Sequence, residues 1–321
     1  MTRSLSFIVP VRNDAVRLRR CLETMKVASD HEVIVVDNGS TDGSADVARA
    51  AGARVLSLPG ERVSALRNAA ARAAGGQLLA FVDADHELGP GWAAAAERVF
   101  RDEPATVAAG APYHAPPDGT WVQRMYDKLR TRQTGRRPTE WLPSGNLVVR
   151  RTAFEAIGGF DTSLETCEDV DLCQRLSARG GRVVEFDELT SVHRGDPRTL
   201  KALFLGELWR GRDNLRVTLR GPMSVRSLPS IVIPIAILLG LAAVVLGLAF
   251  WPFVGWSVAT SGAFLVGGLV AARASVLLGR VSEGERSGRT AVEAVLVGGA
   301  YDVARAFALV TRPSHDLRRK G

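Results

Sequence analysis

Between Ser227 and Ala272 the 321-residue chain has no aspartate, glutamate, lysine or arginine. A spanning helix needs about 20 apolar residues, so this stretch is about two spans long. Trp251-Pro252-Phe253, with Gly255 and Trp256 close behind, divides it. Aromatics and a helix breaker suit a tight turn at a membrane interface, and the expectation is a helical hairpin over 231–250 and 254–272. Length and uniform lack of charge disfavour the alternative, a buried hairpin in a soluble protein. Cysteine is scarce: Cys21, Cys167 and Cys173 are an odd number without metal-ligand spacing. That excludes a disulfide scaffold and leaves reduced, structural thiols. The absence of Gly-x-Gly-x-x-Gly argues against a dinucleotide oxidoreductase. No separate apolar core with a cleavage site opens the chain, since MTRSLSFIVPVRND runs straight into a strand pattern, so no signal peptide is expected.

What is present is basic: 41 Lys and Arg against 34 Asp and Glu give a formal charge of +7. Arg216, Arg220 and Arg226 precede the uncharged stretch and Arg273 and Arg280 follow it, while the loop at Trp251 is uncharged. The positive-inside rule then places the first 225 residues and the basic tail in the cytoplasm, at the inner membrane. Anionic lipid suits this charge better than nucleic acid. Three segments follow: a catalytic domain over 1–225, the hairpin over 226–278, and a juxtamembrane helix with its tail over 279–321.

The first 110 residues alternate apolar runs with helical stretches, the pattern of βαβ units and a parallel sheet in an α/β fold. Strands are expected at Leu5–Val11, Val33–Asp37, Arg54–Leu58 and Leu78–Asp83, with helices near 14–27, 43–51 and 61–74 between them. Farther on, SGNLVVRRTAFEAIGGFD reads as strand, helix and Gly-Gly stop, CEDVDLCQRLSARGG as an amphipathic helix and RVVEFD as a strand. In LLAFVDADHELGPGW an apolar strand stops at Asp83-x-Asp85. Two readings stand there: a solvated strand end with turn chemistry, or a divalent-cation site at the carboxyl edge of the sheet. PVRND and VVDNGSTDGS, at the ends of the first two strands, would converge on the same edge.

This ordered set resembles the family 2 glycosyltransferases of the GT-A fold. The matching stretches are FIVPVRND, VIVVDNGSTDGS, RVSALRNAAARAAGG, LLAFVDADHELGPGW, PSGNLVVRRTAFEAIGGFD and ETCEDVDLCQRLSARGGRV, spanning about residues 4 to 195. The resemblance implies transfer of a sugar from a nucleotide-diphosphate donor, with inversion. It implies a base pocket at Asp37, Pro10 and Arg12 with Asn38 and Gly39, and Arg67 towards the diphosphate or ribose. Asp83, Ala84 and Asp85 would hold the donor through Mg2+ or Mn2+, with His193 completing the metal shell. Gly145 and Asn146, after Ser144, would lie beneath the donor sugar. Asp169 would be the general base and Glu168 its support, and at a helix start the dipole favours ionised carboxylates. Simple helix capping competes for that pair, and a structural role for His193.

Processive synthases of the family carry Gln-x-x-Arg-Trp after the base. Here GELWRGRDN places Trp209 and Arg210 in a comparable region in reversed order, so a single transfer is expected. Polyprenyl-phosphate sugar transferases usually read Asp-x-Asp-Leu-Gln where this chain has Asp-Ala-Asp-His-Glu, which weakens that alternative. A Mg-dependent nucleotidyltransferase remains a second alternative. WVQRMYDKLRTRQTGRR (121–137) reads either as a helix on an anionic bilayer or as a core-covering helix. Residues 290–310 read as an interfacial or hairpin-packed helix, because Glu293, Asp302 and Arg305 oppose a third span. With basic and apolar segments at the membrane, a lipid or lipid-linked acceptor is expected.

Overall fold

The computed structural model of the protein describes residues 4–25, 31–130, 134–221 and 228–311, and for 251–255 the backbone alone. Arg226 and the basic tail lie outside the described residues. The chain divides into two compact units, Met1–Pro116 with Arg130–Asp196, and Pro117–Leu129 with Pro197–Gly321.

The described strands, all in the first unit, are β1 (Leu5–Val11), β2 (Glu32–Asp37), β3 (Arg54–Ser57), β4 (Leu78–Val82), β5 (His86–Leu88), β6 (Thr106–Gly110), β7 (Arg136–Pro138), β8 (Asn146–Arg150), β9 (Arg182–Phe186) and β10 (Ser191–His193). Eight of them form one mixed sheet in the order β3-β2-β1-β4-β8-β6-β9-β7, and β5 pairs with β10. The pairs β1–β2, β1–β4, β2–β3 and β6–β9 are parallel, while β8 runs antiparallel between β4 and β6.

A sheet covered on both faces needs strands that are apolar throughout. All seven residues of β1 are buried. Alternation along the strands then sorts the side chains. Phe7, Val9, Ala80 and Val82 pack with Leu18, Cys21 and Leu22 of the helix Ala15–Met25 and with Trp92 and Val99 of the helix Trp92–Asp102. Ile8, Leu79 and Phe81 face the other way, onto Leu66 and Ala70 of the helix Val63–Ala73 and Leu172 and Leu176 of the helix Glu168–Ala178. The strand order reverses between β1 and β4, which is where open α/β sheets bind ligands beyond the carboxyl ends of their strands.

Two expectations are corrected here. The helix expected over 121–137 runs only from Trp121 to Asp127, started by a capping box between Thr120 and Gln123. Gly135 then takes a φ of 75°, and residues 136–138 pair with β9 instead. Val122, Met125 and Tyr126 are buried with Leu203, Leu277 and Ala294 in the second unit, so this helix covers a core. The hairpin turn, expected at Trp251-Pro252-Phe253, falls at Phe250, between the helices Pro229–Ala249 and Trp251–Gly279. Pro252 sits in a first helical turn, where a missing N–H breaks no bond.

Residues Pro229–Ala249 and Trp256–Gly279 are long and apolar enough to cross a membrane. At 1.5 Å per residue they are roughly 30 and 35 Å long. A Cβ on Gly247 would stand 2.5 Å from the Ala259 nitrogen, so these helices approach backbone to backbone. Leu239, Val245 and Phe264 point outward and are exposed. Two charges of the helix Gly288–Phe307 are paired inside the unit: Asp302 accepts two hydrogen bonds from Arg273, and Arg305 donates to the buried Glu207.

Candidate active site

The loops after β1 and β2 are laced together. Asn13, at a φ of 51°, accepts from the Thr41 N–H at 2.7 Å, and the Ala15 N–H donates to Asp42. Asp37 ends β2 level with Val11, and its carboxylate accepts from the Ser40 N–H at 3.1 Å. Asn38 accepts from the Gly60 N–H and donates to the Glu61 carbonyl, tying in the next loop. Gly39 has a φ of 70°, and a Cβ there would meet Pro59 at 3.0 Å. Pro10 is buried in β1, and Arg12 is exposed at its end.

Beyond β4 the chain turns, with the His86 N–H bonded to the Asp83 carbonyl at 3.0 Å, and then starts β5. Successive strand residues point to opposite faces, but the turn brings Asp85 and His86 round together. β10 lies antiparallel to β5 with His193 directly opposite His86. The two rings lie 4.7 Å apart, and Tyr113 packs edge-on to both. His193 Nε2 is 3.2 Å from Asp85 Oδ2, and its Nδ1 is 2.7 Å from Asp196 Oδ1. Arg130 also binds Asp196, and Arg17 Nη1 approaches Asp85 to 4.0 Å. One ligand atom each from Asp85, His86 and His193 lies within 4.8 Å of the others. An oxygen and two imidazole nitrogens converging in a buried spot fit a divalent cation.

The charges in this cluster are mutually arranged. Burial opposes ionisation of Asp85, but His193, followed by His86 and Arg17, outweighs it and holds the carboxyl well below its usual range. Burial likewise opposes charge on His193, but Asp85 and Asp196 raise its pKa to about 9. His86 goes the other way, lowered to about 4 by burial and by His193.

Asp83 parts from Asp85. Its Oδ1 accepts from Arg67 Nη2 at 2.7 Å, and Arg67 Nη1 reaches Glu168 Oε1 at 2.7 Å. Arg67 is 2% exposed, and its Nε has no partner among the described residues. Glu168 also accepts from the Ser144 hydroxyl. Asp169 accepts from the Ser144 N–H at 3.2 Å. Both begin a helix whose preceding residue, Cys167, is held at a φ of 59°. The expectation that the helix dipole keeps Asp169 readily ionised is corrected. Burial, followed by the neighbouring Glu168, raises its pKa to about 7, above anything the dipole offsets.

Gly145 follows Ser144 and faces His86 and Asp83. A Cβ there would stand 2.8 Å from His86 Nε2 and 2.9 Å from Asp83 Oδ2. Asn146 is fully committed to the scaffold: it accepts from Trp92 Nε1 and donates to the carbonyls of Ala111 and Leu189. Ala84 is buried beneath the turn. Trp209 and Arg210 belong to the second unit, where Arg210 donates to Glu207.

The sequence reading missed His86, Asp196 and Arg17. In SVHRGD, residues 191–196, Asp196 stands three residues after His193. Arg17 gave no signal beyond a helix face.

This arrangement, a mixed sheet with carboxylates and histidines beyond its strand ends, is the GT-A fold. Residues 6–158 match the model for Glycosyl transferase family 2. The chain is 31% identical over 195 residues to the pre-mycofactocin glycosyltransferase of Mycobacterium tuberculosis, a match covering 56% of this chain and 40% of that protein. It is 26% identical over 212 residues to the glycosyltransferase AglE of Haloferax volcanii, covering 61% of this chain and 70% of that protein. The chain thus spans about two fifths of the length of the mycobacterial relative. Among solved structures, mannosyltransferase PcManGT from Pyrobaculum calidifontis, in complex with GDP-Man and Mn2+, has a TM-score of 0.61. The likeness covers 98% of this chain and 89% of that one at 18% identity, and is one of fold.

Proposed function

We propose that the protein transfers a sugar, with inversion and once per acceptor, from a nucleotide-diphosphate sugar to a lipid or lipid-linked hydroxyl at the cytoplasmic membrane face. The observation that carries this reading is the Ser144–Gly145 step, where the Ser144 N–H meets Asp169 and Gly145 faces His86 of the Asp85–His193 cluster. Asp37, with Pro10, Arg12, Asn38 and Gly39, receives the base. Asp85 and His193 hold Mg2+ or Mn2+, which offsets the charge that builds on a departing diphosphate. Arg67 holds Asp83 and Glu168 in place, and the unpaired Nε leaves it a donor to spare. Asp169 takes the proton of the acceptor hydroxyl. The uncharged hairpin with its outward apolar side chains, and the basic residues flanking it, support insertion with the first unit in the cytoplasm. By resemblance Trp209 and Arg210 are counted among the residues that bind the nucleotide sugar. The polyprenyl-phosphate subclass is separated by offering a lipid phosphate as acceptor in place of a hydroxyl.

The test is nucleoside diphosphate release from a panel of nucleotide sugars, using the full chain in lipid with and without Mn2+ or Mg2+. Release from one donor that needs the metal and is lost in Asp85→Ala supports the reading. Equal turnover of a soluble sugar acceptor without lipid counts against the lipid acceptor. A finer check is Gly195→Ala. Its Cβ would overlap Asp85 Oδ2 and stand 2.9 Å from His193 Nε2. Mn2+ affinity, measured by titration calorimetry, is expected to fall about tenfold or more, with the fold retained.

A further inference from the structure

The transfer reading leaves one histidine beside Asp85 and His193 without a task. His86 is 1% exposed, and its Nδ1 lies 3.2 Å from Ser191 Oγ. With Nδ1 donating to that hydroxyl, the lone pair sits on Nε2, and a His86 ring nitrogen lies within 4.8 Å of ligand atoms of Asp85 and His193. His193 is built alike: Nδ1 is anchored on Asp196, and Nε2 faces Asp85. An outer partner on one ring nitrogen is how proteins fix a metal-binding imidazole. The space in front is kept open by glycine, because a Cβ on Gly145 would crowd His86 Nε2 and one on Gly195 would strike Asp85.

We propose that His86 is a third protein ligand of the divalent cation, and that Asp85, His86 and His193 together make the site select Mn2+ and similar transition ions over Mg2+. This rests on the metal-dependent transfer reading above. Mg2+ is hard, demands near-octahedral oxygen and sheds water reluctantly. Imidazole nitrogens favour first-row transition ions. Two imidazoles and one carboxylate in a buried cluster therefore leave Mg2+ poorly matched. The same assignment explains why Asp83 is free to serve Arg67, whose guanidinium takes its Oδ1 at 2.7 Å.

The experiment is Mn2+ binding to the nucleotide-free full chain in lipid nanodiscs, read by pulsed electron paramagnetic resonance and by titration against Mg2+. Wild type is expected to show two imidazole nitrogens on the ion, and His86→Ala and His193→Ala one each. His86→Ala should weaken Mn2+ by about tenfold or more while changing Mg2+ affinity by less than about twofold. His86→Asn, which retains a polar side chain beside Ser191, gives the same nitrogen count in a variant better placed to fold. One nitrogen in wild type, two in His86→Ala, or equal affinity for the two metals overturns the proposal. Any of these with metal-dependent diphosphate release intact leaves the transfer reading standing. Absence of Mn2+ binding, together with silence from every donor, sinks both.

Discussion

Asp169→Asn is expected to lower the transfer rate by about a hundred- to ten-thousandfold, the range for removing a positioned general base. Donor and Mn2+ binding should change little, because Asp169 hydrogen-bonds Ser144 and its own helix and touches none of the Asp85 cluster. The pH profile gives a sharper sign. With its pKa raised to about 7 by burial and by Glu168, Asp169 accepts a proton only after losing its own. Wild-type rate should climb through about pH 7, and this limb should vanish in the variant. Stability runs the opposite way. Between 3.8 and about 7 the folded protein keeps a proton that the unfolded chain has released. Stability from this group is therefore full below the unfolded value and declines as pH rises through the folded one. Asp169→Asn should unfold at a higher temperature than wild type at about pH 8, with the gap closing towards pH 4. A variant both slower and more stable is what a buried base predicts. A variant as fast as wild type would remove Asp169 from the chemistry.

The same contrast between local pattern and burial explains what was legible in the chain. β1 and β4 announced themselves because a strand covered on both faces must be apolar throughout, as FIVPV and LLAFV are. β8 was visible as a strand, but its direction was not. Leu147, Val148 and Val149 would bury as well parallel to β4 as antiparallel to it. Asp83-x-Asp85 ends a strand as expected, and beyond it the two aspartates part. The resemblance put both aspartates on the metal and gave His86 no role. The turn at Ala84–Asp85 reverses this, giving Asp83 to Arg67 and pairing Asp85 with His86. β5 and β10, three residues each, are too short for periodicity to reveal, yet their register is what sets His86 opposite His193. The hairpin was legible to within a few residues, since lack of charge over such a length has few readings.

Arg67→Met should be the most damaging substitution that removes no reacting group. Arg67 is the sole link between Asp83 on the metal strand and Glu168 on the helix that carries the base, among the contacts described. Burial opposes its charge, but Asp83 and Glu168 together raise its pKa above the ordinary value. Its two halves are unequal. Asp83 is 37% exposed, and water screens what it loses, whereas Glu168 is 12% exposed and would keep a carboxylate facing a buried thioether. Breaking a buried pair costs about 3–5 kcal/mol, and the screened half argues for the low end, about 3. Chemical unfolding of the full chain in detergent measures it. Activity should fall as well, and in a diagnostic way. Arg67 is among the charges that hold the Asp169 pKa down, so the rising limb of the pH profile should move upward in whatever activity remains. Arg67→Lys keeps the charge without the fork that reaches both carboxylates, and should restore most of the pH profile but little of the stability. A profile that stays put in Arg67→Met would mean that the arginine braces the fold and leaves the base alone.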